Sequence, residues 1–291
     1  MIRKLKNRDI DFSKYKNCLE NSVQKNFYAK KEILDALCED WELLVHGDYE
    51  FIMPIPIRKK LGLKIVVMPL FCQQLGIFGP KKNREIEEIF LQYFLKNYKV
   101  LFYSFNYHNS FTEEFKIKKN YFIPKTDYSL LRKSYFKGRK STVKTAQYLD
   151  FKEVKLNEVS DFIRKNFKGL EKENDLNKLF EYLHFLNSEN KLKLCGSFKE
   201  ENLTNVAILI NDDDCFALLG LVNNEKFRQD NGASFLIDCI LKDHIQDLSF
   251  NFMGGTIRGL EVFFKSFGAE LQEYAIIERS KKDLIKNFLK K

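Results

Sequence analysis

Residues 228–238, RQDNGASFLID, place a single glycine between a polar cluster and an apolar run of helical character. Gly232 can take a positive φ, and the small side chains of Ala233 and Ser234 leave the backbone open to close approach. The first N–H groups of a helix lack intrahelical partners and carry the positive end of its dipole, so an anion placed there is stabilised. The stretch then has two readings. It is a backbone cradle for phosphate, with Arg228, Gln229, Gly232, Ala233 and Ser234 as its binding residues. Or it is an ordinary helix start capped by Asp230 or Asn231, residue types that favour that place.

The surroundings of this stretch set the architecture. Upstream are three strand-like runs, 192–198 (LKLCGSF), 206–211 (VAILIN) and 215–222 (CFALLGLV), whose short polar turns imply an antiparallel meander. Before them, 151–156 alternates as a strand does, and 159–167 and 176–186 carry apolar residues at helical spacing. Downstream, 233–245 has the apolar repeat of a helix packed on a sheet, 248–252 reads as strand, 260–267 as helix and 271–277 as a last strand. The order is β, α, α, β, β, β, α, β, α, β.

The first half repeats that order without repeating its letters. Residues 23–37 read as helix, 43–46, 51–57 and 64–70 as three strands, 86–94 as helix and 100–106 as strand. A β-β-β-α-β unit occurring twice argues for tandem related domains. A proline in 121–127 (YFIPKTD) marks the join, which predicts domains at 1–124 and 125–291.

A chain of 291 residues, 44% hydrophobic and 31% charged, has the composition of a folded protein with room for such a pair of domains. No apolar run approaches the roughly 20 residues that cross a bilayer, and no secretory leader is recognisable, so a cytoplasmic location is expected. The 6 cysteines are scattered without a CxxC pair, which suggests neither a metal site nor a disulfide framework. A net charge of +9 favours anionic partners such as nucleic acid, phosphate-bearing substrates or an anionic membrane face. The basic, apolar-spaced C-terminal stretch, with Leu284, Ile285, Phe288 and Leu289, reads as a docked terminal helix or a peripheral membrane contact.

A third antiparallel strand leading into Gln229-x-x-Gly232-x-Ser234 resembles the GNAT superfamily of acyltransferases, whose motif is Gln or Arg, two residues, Gly, one residue, then Gly or Ala. Ser234 departs from that pattern while remaining small. Three further stretches resemble FemAB-like proteins, a branch of these acyltransferases. They are 44–80, including DYEFIMPIPIRKKLGLKIVVMPLFCQQLGIFGP, then 135–146 (YFKGRKSTVKTA), and 252–269 (FMGGTIRGLEVFFKSFGA), where F-K-S-F-G is one residue shorter than the family F-K-x-x-F-G. The resemblance implies an α/β (α+β) fold of tandem GNAT-like domains, each with a mixed, largely antiparallel sheet flanked by helices.

The resemblance further implies transfer of an acyl group from acyl-CoA, or of an aminoacyl group from aminoacyl-tRNA, to an amine, which in the FemAB branch belongs to a peptidoglycan precursor. Lys265 matches the family lysine of the closing helix. Backbone N–H groups around 219–222 would stabilise the developing oxyanion, and Glu225, just past that strand, is a candidate base. Arg139, Lys140 and Lys144 lie in a basic stretch that could hold substrate phosphates or face solvent. Ser234, the shortened lysine motif and the lack of an obvious base support the alternative of a GNAT-fold binding or scaffold protein without catalysis.

Overall fold

The structure, a computed structural model, describes residues 1–24, 26–60 and 62–280. The C-terminal stretch with Leu284, Ile285, Phe288 and Leu289 lies outside the described residues. The chain divides into two units, one of Met1–Lys118 with the chain from Glu273 on, the other of Lys119–Gln272. A join near the proline was expected to leave the whole C-terminus with the second unit. Instead the chain from Glu273 belongs to the first.

The first unit runs β1 (Ile2–Lys6), α1 (Phe12–Glu20), α2 (Lys31–Leu37), β2 (Asp40–His46), β3 (Phe51–Lys60), β4 (Leu63–Val67), α3 (Arg84–Asn97) and β5 (Val100–Ser104). Two expectations for it change. The helix expected over 23–37 is reduced to α2 preceded by a 3-10 turn at Phe27–Ala29. The Ser22 hydroxyl accepts from Gln24 N–H at 3.1 Å and Asn26 Oδ1 from Ala29 N–H at 3.3 Å, side-chain bonds that compete with a helical ladder. A helix does form earlier, at α1, where Asp11 caps the N–H groups of Ser13 and Lys14 at 3.0 and 3.1 Å. β4 stops at Val67, short of the expected 70, and Pro69, which has no N–H to donate, follows.

The second unit takes in β6 (Lys116–Ile123), α4 (Tyr128–Ser134), α5 (Lys137–Thr145), β7 (Asp150–Glu153), α6 (Leu156–Asn166) and α7 (Glu173–Ser188). It continues with β8 (Leu192–Lys199), β9 (Asn202–Asp212), β10 (Cys215–Asn223), α8 (Gly232–His244), β11 (Ser249–Gly255), α9 (Arg258–Lys265) and the start of β12 (Glu270–Glu278), whose residues from Glu273 on belong to the first unit. From β7 on, this is the order read from the sequence. The far half of β12 lies against β5 of the first unit, with Ile276 opposite Ser104 and Ile277 opposite Tyr103.

Each unit carries the same sheet. The strand order is β1-β2-β3-β4-β5 followed by the end of β12 in the first, and β7-β8-β9-β10-β11-β6 in the second. The pairing is antiparallel except at one place in each, β4 with β5 and β10 with β11. The repeat is thus one of topology, with the helix that precedes the fifth strand, α3 or α8, supplying the crossover that a parallel pair requires.

Helices on both faces explain why β9 is apolar without alternation. Val206, Ala207, Ile208, Leu209 and Ile210 are all buried, as expected of a strand covered twice. α8 presents Leu236, Ile237, Ile240 and Leu241 to a core that includes Phe216, Leu218, Phe250 and Phe252. Phe264 of α9 stacks on Phe252 with centroids 4.4 Å apart, which seats α9 over β11. Asp238 is the one carboxylate on the buried side of α8; Tyr128 donates to it at 3.0 Å and Arg132 Nε lies 3.7 Å away, so its burial also ties α4 to α8.

Candidate functional site

β10 and β11 pair only over Cys215↔Ser249, Phe216↔Phe250 and Ala217↔Asn251, although β10 runs on to Asn223 and β11 to Gly255. Beyond Ala217, among the described residues, the β10 edge that faced β11 has no strand partner. At the same point β10 bulges. Leu218 pairs with Leu209 and Gly220 with Ile208, so Leu219 has no counterpart on β9. Gly220 follows the bulge, and a Cβ there would stand 2.7 Å from the Phe167 ring, which packs over it from the end of α6. β11 departs from regular pairing too, with Met253 at φ 52 and Gly255 at φ 147. Its freed N–H groups are met by side chains, Met253 by Asn251 Oδ1 at 2.8 Å and Gly254 by Asn120 Oδ1 at 3.0 Å.

From the end of β10 the chain makes a 3-10 turn over Glu225–Asp230 and enters α8 through Asn231, at φ 60 and ψ 24. Neither residue offered as a side-chain cap acts as one. Asp230 takes Lys199 Nζ at 2.8 Å and the Tyr148 hydroxyl, while Asn231 turns its Nδ2 back to Gln229 O at 3.2 Å. The Asn231 carbonyl alone receives the N–H groups of Ser234 and Phe235, at 3.0 and 3.2 Å. Among the described residues no side chain caps the helix start, the condition in which it can take an acceptor from outside.

Gly232, Ala233 and Ser234 form the first turn of α8, with Arg228 and Gln229 exposed on the preceding turn. Gly232 faces the sheet. A Cβ there would lie 1.9 Å from Asn205 Oδ1 and 2.9 Å from the hydroxyls of Ser197 and Thr204, so glycine is required for α8 to sit this close to β8 and β9. Ser234 is buried, and its hydroxyl accepts from Arg139 Nη1.

Arg139, expected to hold substrate phosphate or face solvent, is turned inward. Its Nε donates to the Ser266 hydroxyl at 2.8 Å, and its guanidinium lies over Phe263 and Phe267 at 4.4 and 4.6 Å. Burial pulls it down to about 10. Lys140 is drawn back to Lys133 O at 2.7 Å, and Lys144 is exposed. The three do not form one exposed phosphate grip.

Lys265 is paired with Glu261 at 3.0 Å, one turn earlier on α9, and lies 5.8 Å above the Tyr121 ring. Glu261 also receives Lys119 Nζ at 3.1 Å and the Tyr121 hydroxyl at 2.9 Å. The hydrogen bond from Lys265 first, then those from Lys119 and Tyr121, hold Glu261 down to about 2, and Glu261 in return raises Lys265. Sequence reasoning missed Glu261, Lys119 and Tyr121. The i, i+4 spacing of Glu261 and Lys265, and the i, i+2 spacing that puts Lys119 and Tyr121 on one face of β6, were the available signals. Glu225 is elsewhere, exposed and paired with Lys168, whose hydrogen bond holds the carboxylate below its usual range.

Among the described residues no group of three or more His, Cys, Asp or Glu side chains could hold a metal ion, and no helix is long and apolar enough to cross a membrane. No protein-family model and no curated protein matches the sequence. Solved structures do match. FemX superimposes with a TM-score of 0.66 at 10% identity, over 98% of this chain and 99% of that one. The chain has a FemX-like tandem GNAT fold. A conserved protein of unknown function from Bacteroides thetaiotaomicron VPI-5482 follows at 0.59 and 11% identity, over 96% and 100% of the two chains. A tandem GNAT protein from the clavulanic acid biosynthesis pathway gives 0.56 at 8% identity, over 95% and 97%. The early parting of β10 from β11 falls at the one parallel strand pair of the second unit.

Proposed function

We propose that the chain is an N-acyltransferase whose donor carries phosphate, lies along the unpartnered edge of β10 and places its phosphate at the first turn of α8. The observation that carries this reading is the end of β10–β11 pairing at Ala217, next to a bulge and in line with a helix start that no side chain caps. Arg228, Gln229, Gly232, Ala233 and Ser234 make up the donor loop, with Gly232 permitting the close seating of α8 and the others bordering the anion.

Attack of a neutral amine on the donor carbonyl places negative charge on its oxygen. Backbone N–H groups of 219–222 that point away from β9 are the proposed stabilisers, each good donor contributing about 3–4 kcal/mol to the transition state. Lys265 stays positive because Glu261 raises its proton affinity, and it adds charge stabilisation from α9. Glu225 is a weak general base in this scheme, since Lys168 lowers its proton affinity.

Acyl-CoA satisfies the reading most directly. An aminoacyl-tRNA donor, with an amine of a peptidoglycan precursor as acceptor, is the second reading, favoured by the FFKSFG sequence at the end of α9. The test is calorimetric titration of the protein with CoA, acetyl-CoA and tRNA, followed by single-turnover transfer to simple amines. Ala233→Asp adds a negative charge in the first turn without the collision that a side chain at Gly232 would cause. It should abolish donor binding while leaving the unfolding temperature unchanged. Binding without transfer to any amine would favour a non-catalytic binding module; no binding of any donor would reject the reading.

A further inference from the structure

Under the start of α8, the sheet carries a polar row across three strands. Ser197 of β8 is opposite Asn205 of β9, and Asn205 is opposite Asn223 of β10. The next row on the same face, Cys195, Ala207 and Leu221, is apolar. Ser197 and Thr204 are fully buried and Asn205 nearly so, and burying hydroxyls and an amide is costly unless every group is bonded. Packing alone would be served by another apolar row.

The bonds in this row run in one direction. Thr204 donates its only side-chain proton to Ser197 O at 2.9 Å, so the single proton of the Ser197 hydroxyl is shared between Thr204 Oγ1 at 2.7 Å and Asn205 Oδ1 at 3.1 Å. Asn205 Oδ1 also occupies the space where a Cβ of Gly232 would be, at the positive end of α8, which favours oxygen over the amino group there. The Asn205 amino group therefore points the other way and donates to Asn223 Oδ1 at 2.6 Å. With its oxygen engaged, Asn223 is left presenting Nδ2 at the end of β10, and no described residue accepts from it.

The geometry points to Asn223 as a binding residue, a neutral side-chain donor to the phosphate of the acyl donor, with Ser197, Thr204 and Asn205 as positioning residues that fix which way its amide faces. This rests on the functional reading above and goes beyond it in giving the phosphate a side-chain ligand from β10. An amide suits the place, because it binds an anion without adding a cation next to Asn205.

Asn223→Asp tests this directly. The carboxylate keeps an acceptor for Asn205 Nδ2, so the row stays bonded, but it puts an oxygen where the donor was. Asn223→Ala removes the donor without adding charge. Titrated with CoA, and in parallel with tRNA to identify the source of the phosphate, affinity should fall about tenfold in Asn223→Ala and about a hundredfold in Asn223→Asp, the range expected for hydrogen bonds to charged groups. Unfolding temperatures should not follow that order. Unchanged affinity in both variants, or losses that simply track stability, would overturn the assignment. Failure of the unaltered protein to bind either probe would instead reject the functional reading, and this inference with it.

Discussion

Arg139 donates its Nε–H to the Ser266 hydroxyl at 2.8 Å. Its Nη1 donates to Ser234 in the first turn of α8, so one guanidinium joins the proposed donor loop to the residue next to Lys265. The guanidinium carbon lies 4.4 and 4.6 Å from the ring centroids of Phe263 and Phe267. A lysine reproduces neither the two directed bonds nor the stacking. Arg139→Lys should therefore cost about 1–3 kcal/mol of stability, measured as a lower urea midpoint with unchanged slope. Donor affinity should fall with it, because Ser234 loses the partner that holds its hydroxyl.

A second prediction separates packing from binding at Gly232. Gly232→Ala places a methyl 1.9 Å from Asn205 Oδ1, which forces either α8 to move or the Asn205 amide to turn out of its bonded place. The expected loss is about 2–3 kcal/mol of stability. Shortening the opposing side chain should recover part of it, so Gly232→Ala with Asn205→Ser should be more stable than Gly232→Ala alone. Thermal unfolding of the two single variants and the pair measures that coupling.

These contacts show what the sequence carried and what it did not. The turn, the glycine and the apolar periodicity of 233–245 located α8 and its polar approach, because capping geometry and helical spacing are local. The twofold recurrence of β-β-β-α-β was legible for the same reason. That Gly232 rests on Asn205, 27 positions earlier, was not, since the requirement for glycine comes from another strand. Nor could local pattern say that Arg139 turns inward: a basic stretch looks solvated until Phe263, Phe267 and two serines converge on one member of it. The ending of β12 against β5 depends on pairing between residues more than 170 positions apart, which no periodicity encodes.

The cluster around Glu261 yields a pH prediction. Lys265, Lys119 and Tyr121 hold its carboxylate at about 2, below the ordinary glutamate range. A depressed acid contributes stability that is complete above the unfolded-state value, about 4.3, and is lost as pH falls through the folded-state value. Stability should therefore decline between about pH 5 and pH 2 more steeply in the unaltered protein than in Glu261→Gln. Urea midpoints across that range measure the difference. Parallel curves would show that the cluster makes no net contribution.

Lys265→Met should lower the rate of acyl transfer about a hundredfold, the scale of losing one fixed electrostatic stabiliser, while donor affinity stays within about twofold. The separation follows from position: Lys265 contacts Glu261 and Tyr121 and none of the donor-loop residues. Its protonation supplies the test of mechanism. Glu261 is the first cause of its raised proton affinity, so in Glu261→Gln the lysine should lose its proton at lower pH. Because the charged form is the active one, the alkaline fall of kcat should move to lower pH in that variant, with the rate at neutral pH largely retained. Single-turnover rates from pH 7 to 11 decide the matter. An unmoved alkaline limb would show that the lysine charge plays no part in transfer.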